Sequence, residues 1–366
     1  MQPTAPPLLL PSLHVRGFRA FRDLQIPQLG RVNLVVGKNN VGKTSLLEAL
    51  KLYASGMAAP WEIRALLQGR QEVYRAEPTG TPLLDMSRLF FGASVLPDFY
   101  TGIGIGPLAS HEKGLRIWLA HGKSKQRFSN ENFENFENDP NEFLALAVMS
   151  GEQEARFYKV IDFFINSAAP PILPPGNKIN HQYLPSTSAR GSDIGKLWDR
   201  IVLNDQEQDV LEALRIISPD TERLSLIASL DGTDTGRIAL VRRKNSRHPE
   251  KLRSLGDGMN RIFELALGLV NASGGMFLAD EVENGVHYSA QEQLWRFIFE
   301  VSSRHNVQVF ATTHSWDCIE AFQRAASAHK EDGVLISLSR QEEEVKAAVF
   351  NERDLEIITR ESIEVR

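Results

Sequence analysis

The chain has 366 residues, 42% of them apolar, and a formal net charge of −5, so it can bury a large core in one or two domains. That charge balance gives no basic stripe of the kind a strong nucleic-acid binder shows, and a single cysteine, Cys318, excludes an internal disulfide and fits a reducing cytoplasm. No stretch approaches the ~20 apolar residues that cross a bilayer, and the opening MQPTAPPLLLPSL lacks a basic n-region, so a soluble, cytoplasmic protein without membrane association is expected.

In chain order, residues 13–15 alternate as a strand, and 32–36 form an apolar run suited to a strand covered on both faces. A glycine-rich loop and a helix over 44–53 follow, with Leu46, Leu47 and Leu50 on one side. Gly102 to Gly106 precedes a proline and opens no helix, which makes it a glycine-rich strand or turn. Residues 115–119 alternate as a strand, 129–143 are polar and repetitive as in an exposed loop, and the proline-rich run 169–176 marks a break. Helical patterning covers 193–217, and 224–230 with 237–242 predicts a hairpin. Strand and helix then alternate: strand 276–279, helix 291–301, strand 307–311, helix 316–326, and a closing hairpin of 334–338 with 345–350. Cys318 falls on a helix as a small buried hydrophobe. Such alternation on both sides of an insertion implies an α/β sheet whose strands come from distant parts of the chain. The expected divisions are 1–60, 61–250 and 251–366.

Three stretches carry chemistry. Gly37-Lys38-Asn39-Asn40-Val41-Gly42-Lys43-Thr44 fits G-x-x-x-x-G-K-[ST] in full. Gly37 and Gly42 allow backbone angles closed to other residues, so the loop can wrap a phosphate. The N–H groups of Asn39, Asn40, Val41 and Ser45 and the helix N-terminus then face the anion. Lys43 brings a cation to the β- and γ-phosphates of ATP, and the Thr44 hydroxyl can ligate Mg²⁺. Met276 to Glu281 is an apolar strand ending in two acids, where Asp280 suits the metal and Glu281 suits the attacking water. Thr312-Thr313-His314-Ser315 follows a strand, which lets His314 reach a ligand in the crevice at strand ends, with Ser315 as N-cap of the next helix.

With these stretches, and with Ser254-Leu255-Gly256-Asp257-Gly258 before an apolar helix through Leu269, the chain resembles the ABC-type ATPases, a class that includes SMC proteins, RecF and the OLD-like ATPases. The resemblance covers roughly 13–55 and 250–340. It implies a P-loop NTPase fold, an ABC-ATPase-like head with a mixed sheet and a helical/β insertion. It implies that Ser254, Gly256 and Gly258 cap the γ-phosphate held by a second protomer, that His314 is the switch histidine, and that a homodimer forms on ATP binding. Phe18 or Phe21 either stacks on the base or belongs to the core. Glu283 to His287 stands where the family has its D-loop, so His287 either meets the other protomer or caps the next helix. The glutamine of the family's Q-loop is not identified, Gln68 and Gln71 being the nearest candidates. No heptads replace the middle zone with an SMC arm, and residues 315–366 are too few for a Toprim domain, so a Toprim-like nuclease would be a separate effector. The expected activity is ATP hydrolysis in a dimeric switch for a partner, in defence or DNA maintenance. The alternative is a RecF-like DNA clamp, supported by the basic residues Arg242, Arg243, Lys244, Arg247, Lys251 and Arg253.

Overall fold

A computed structural model describes residues 6–76, 81–92, 102–110, 113–123, 142–160, 178–187, 191–228, 237–244, 246–329, 332–361 and 363. Its elements run β1 (Leu13–Phe18), β2 (Phe21–Ile26), β3 (Val32–Gly37), α1 (Lys43–Ser55), α2 (Ala59–Gly69), β4 (Val73–Ala76) and β5 (Thr81–Leu84). Next come β6 (Ile103–Gly106), β7 (Leu115–Lys123), β8 (Glu142–Ser150), β9 (Arg156–Lys159), β10 (His181–Leu184), α3 (Gly191–Ile201) and α4 (Gln206–Leu214). Then β11 (Thr221–Ala228), β12 (Arg237–Arg243), β13 (Glu250–Lys251), α5 (Asp257–Asn271), β14 (Met276–Ala279) and α6 (Tyr288–Arg304) follow. The last are β15 (Gln308–Thr312), α7 (Trp316–Ala326), β16 (Gly333–Gln341), β17 (Glu344–Phe350) and α8 (Glu352–Arg360).

The central sheet has the order β10-β14-β15-β3-β16-β17. Its first five strands are parallel, and β17 returns antiparallel to β16. All six residues of β3 are buried, as a strand with both faces covered requires. Its side chains divide by the pleat: Val32, Leu34 and Val36 pack with α5, α6 and α7, while Val35 packs with α1. Strand β10 brings the middle of the chain to one edge of this sheet, so the parallel strands draw on all three zones of the sequence.

An antiparallel sheet, β2-β1-β6-β7-β8-β9, covers the other side of α1. Leu46, Leu47 and Leu50 of α1 fill the layer between the two sheets and are fully buried. The glycine-rich run after residue 102 is strand β6, set between β1 and β7. Glu142 and Phe143, expected in a loop, lie within β8, while the rest of the polar repeat (129–141) and the proline-rich run lie outside the described residues. A third sheet, β11-β12-β13, leads straight into the start of α5. No helix among the described residues is long and apolar enough to cross a membrane.

The register decides what meets what. Ala279 pairs with Ala311, and Ala311 pairs with Leu34. Parallel strands end on the same side, so the loops after β3, β14 and β15 emerge together at the carboxyl edge of the sheet.

Candidate functional site at the carboxyl edge of the central sheet

The loop after β3 is shaped by close packing from below. A Cβ at Gly37, where φ is 150°, would lie 2.5 Å from the Leu338 carbonyl oxygen and 2.8 Å from Val41 Cγ1. Val41 is buried and serves the loop through its backbone, while Lys38, Asn39 and Asn40 are exposed on the rim. Gly42 is the N-cap of α1 at φ 112° and supplies no side-chain cap, so the first-turn N–H groups face outward with the positive end of the helix dipole. Lys43 curls back over the loop, its Nζ donating to the Gly37 carbonyl at 2.7 Å and to the Lys38 carbonyl at 3.3 Å. Burial pushes the Lys43 ammonium below its ordinary pKa, and Asp280, Glu281 and Glu283 pull the other way. Ser45 is buried one residue beyond Thr44.

The acidic strand tip reaches this loop. Thr44 Oγ1 donates to Asp280 Oδ2 at 3.0 Å, and Thr312 Oγ1 donates to the other oxygen, Oδ1, at 2.5 Å. Asp280 is 7% exposed, so both of its oxygens are oriented inside the protein. Glu281 takes a left-handed backbone, φ 47°, which few non-glycine residues adopt. Its N–H donates to Thr312 Oγ1 at 2.8 Å, and its carbonyl accepts from Arg261 at 3.0 Å, so the backbone is held at both ends. The Glu281 carboxylate, by contrast, is 40% exposed.

His314 completes the edge. Its ring is half exposed, with Nδ1 3.6 Å from Glu283 Oε1 and 3.9 Å from Glu281 Oε1. Glu283 is buried, accepts from Thr313 Oγ1 at 2.7 Å, and leaves its second oxygen, Oε2, without a hydrogen-bond partner. The loop residues 37–45, Asp280, Glu281 and His314 therefore converge in a single chain. This arrangement offers an anion cradle, a cation, two hard oxygens for a divalent ion, an accessible carboxylate and an imidazole. Those are the parts phosphoryl transfer to water needs.

A family model described as "AAA domain, putative AbiEii toxin, Type IV TA system" matches residues 32–317. The chain belongs to this AAA family. It is an ATP-binding P-loop ATPase whose fold is like that of an SMC head. It is similar to an "ATP/GTP phosphatase" of Helicobacter pylori, 22% identical over 339 residues, covering 85% of this chain and 87% of that one. An uncharacterized protein of Methanocaldococcus jannaschii is 43% identical over 47 residues, a stretch that is 13% of this chain and only 22% of that protein's length. Among solved structures, an SMC head bound to the C-winged helix domain of ScpA aligns with a TM-score of 0.50 at 12% identity. That alignment spans 94% of this chain and 98% of the other.

Ser254 and Gly256 are exposed, and a Cβ on Gly258 would lie 2.7 Å from the Gly285 carbonyl oxygen, so helix and loop touch backbone to backbone. His287 caps α6, its Nδ1 accepting from the Ser289 N–H, and Phe18 and Phe21 are fully buried, which makes both of them core. Gln68 and Gln71 are exposed near the end of α2. Of the basic segment, Arg242 pairs with Glu222 at 3.3 Å and Arg243 with Glu250 at 2.7 Å.

Two groups that sequence reasoning passed over hold the site together. Thr312 ties Asp280 to the Glu281 amide, and Arg261 donates to the carbonyls of Asp280 (2.5 Å), Glu281 (3.0 Å) and Pro185 (2.7 Å). Burial lowers the Arg261 pKa from its ordinary value, and Glu264, Glu283 and Asp280 oppose that. A signal for Arg261 does exist: it is a lone cation among Met259, Ile262, Phe263 and Leu265, all buried.

Proposed function

We propose that this ATPase hydrolyses ATP as a dimeric switch, two copies closing head to tail on two nucleotides and passing the change in their geometry to a separate effector protein. The observation that carries this reading is the 3.0 Å hydrogen bond from Thr44 to Asp280, which joins the glycine-rich loop to the acidic strand tip across 236 residues.

In this reading Lys43 and the N–H groups from Gly37 to Ser45 hold the β- and γ-phosphates. Thr44 and Asp280 fit Mg²⁺: both present hard oxygens, and Thr312 already fixes the carboxylate through its other oxygen. When bound, that ion neutralises charge on the phosphates. Glu281 orients the attacking water and takes its proton; a backbone pinned at amide and carbonyl gives its mobile carboxylate a fixed stem. His314 donates a hydrogen bond to the γ-phosphate, with Glu283 behind the ring as a positioning residue. Ser254, Gly256 and the N-terminus of α5, exposed in one copy, cap the γ-phosphate in the other. The name of the Helicobacter pylori relative agrees with a phosphatase activity toward nucleotides.

The test is ATP turnover against protein concentration. Composite sites make specific activity rise with concentration, Lys43→Ala removes turnover, and Glu281→Gln accumulates an ATP-bound dimer visible by light scattering. Undiminished hydrolysis in the Lys43 variant would sink the assignment.

A further inference from the structure

One charge at the start of α5 is at odds with the part that corner plays in the proposed dimer. Asp257 is the first residue of the helix, directly after Gly256, and it is exposed. Gly256 supplies no side-chain cap, so the first-turn N–H groups are open toward an anion. Among the described residues the Asp257 carboxylate takes part in no ion pair and no side-chain hydrogen bond, and Arg253, also exposed, does not pair with it. In a single copy this acid has a plain use, since a carboxylate in the first turn favours the helix dipole. In the proposed dimer the same carboxylate is carried toward the γ-phosphate of the other copy's nucleotide. Two anions held together where water is excluded repel strongly. The corner then needs a cation.

The glycine-rich loop carries one at its rim. Lys38 is exposed, and its ammonium takes part in no ion pair among the described residues. Its backbone is pinned: the Lys38 carbonyl accepts from Lys43 Nζ at 3.3 Å and from the Val41 N–H at 3.4 Å. Lys43, the other lysine of the loop, is turned inward to the Gly37 and Lys38 carbonyls. The rest of the rim, Asn39 and Asn40, is neutral. A flexible four-carbon stem on a fixed backbone lets the Lys38 ammonium lean outward while the loop N–H groups stay on phosphate. On the facing corner, the Asp257 Cβ stands 3.4 Å from where a Gly285 Cβ would be, and Asn284 and Gly285 are exposed beside it. Neutral groups thus flank the carboxylate on that side, and the two unpaired charges are complementary.

On the basis of the head-to-tail dimer, we infer that Asp257 of each copy pairs with Lys38 of the other. The ammonium lies between the carboxylate and the γ-phosphate and neutralises both. Each pair forms only when the start of α5 in one copy meets the nucleotide loop of the next, so it makes closure selective for that register.

The experiment uses the full chain in the Glu281→Gln background with ATP and Mg²⁺, and reads dimers by light scattering and by capture of an untagged copy on a tagged one. Lys38→Gln is expected to weaken association by about tenfold or more, because it leaves Asp257 bare against the phosphate. Asp257→Asn alone is expected to change association by less than about threefold, since the pair and the repulsion are lost together. Adding Asp257→Asn to Lys38→Gln in one chain is expected to restore association to within about threefold of the Glu281→Gln protein. Mixing shows that the contact crosses between chains: a Lys38→Gln copy is expected to associate with an Asp257→Asn copy far better than with itself. In that mixed dimer one site is neutral on both sides and the other keeps its full pair. A dimer that forms normally in the Glu281→Gln protein, with no rescue of Lys38→Gln by Asp257→Asn in one chain or across the mixture, would overturn the pair alone and place the ammonium on its own chain's nucleotide. No ATP-dependent dimer in the Glu281→Gln protein would overturn the dimer reading, and the pair with it.

Discussion

The carboxyl edge of the central sheet and the exposed start of α5 are both glycine-rich and both suited to phosphate, yet they are built differently. At the sheet edge polar groups bond one another within one chain: Thr44 and Thr312 serve Asp280, and Thr313 serves one oxygen of Glu283. At the start of α5, Ser254 and Gly256 are exposed, and Gly258 lies close against the Gly285 carbonyl. In the proposed dimer, the sheet edge holds the nucleotide of its own chain and the open start of α5 meets the nucleotide of the other. Arg261 joins the two regions, because it rides on α5 and donates to the carbonyls of Asp280 and Glu281.

Substitutions can sharpen or break this contrast. The largest effect is expected at the edge: Asp280→Asn should lower turnover by roughly a hundredfold or more, since it removes the charge that faces Thr44. ATPase assays on the folded variant read this directly, and a loss of only a few-fold would put the metal elsewhere. Arg261→Met should cost about 2–4 kcal/mol in urea melts, because it strips the donor from three carbonyls. If Arg261 is a positioning residue, turnover per folded protomer should fall as well; a purely structural role would leave that number intact. Gly258→Ala should cost about 1–3 kcal/mol, since its Cβ would meet the Gly285 carbonyl, a backbone atom that cannot swing away. Smallest of all, Ser254→Ala should shift stability by less than about 0.5 kcal/mol while lowering turnover most at concentrations where dimers form. A Ser254 variant that melts much lower with unchanged turnover would dissolve the distinction between the two regions.

Much of the site could be read from sequence because it is local. Gly37 to Thr44 is a contiguous run, Asp280 and Glu281 end an apolar strand, and His314 follows another. The strand and helix at 276–279 and 316–326 emerge as read, since their apolar periods are uninterrupted. Other groups were hidden because their roles depend on neighbours far along the chain. Thr312 looks like an ordinary strand-end threonine until β15 is laid beside β14, and Arg261, a lone cation in an apolar helix, shows its carbonyl partners only once that helix meets the strand tip. Phe18 and Phe21 admitted two readings from sequence, and only burial chose the core.

The amino-acid sequence by itself determined the glycine-rich loop, the apolar strands and the acidic tip, because bond-level preferences and hydrophobic period act within a few residues. Only the tertiary structure decided that Asp280 faces Thr44 and that Arg261 braces the strand tip. Those outcomes follow from parallel strand register and side-chain packing, which bring together groups that no local pattern relates.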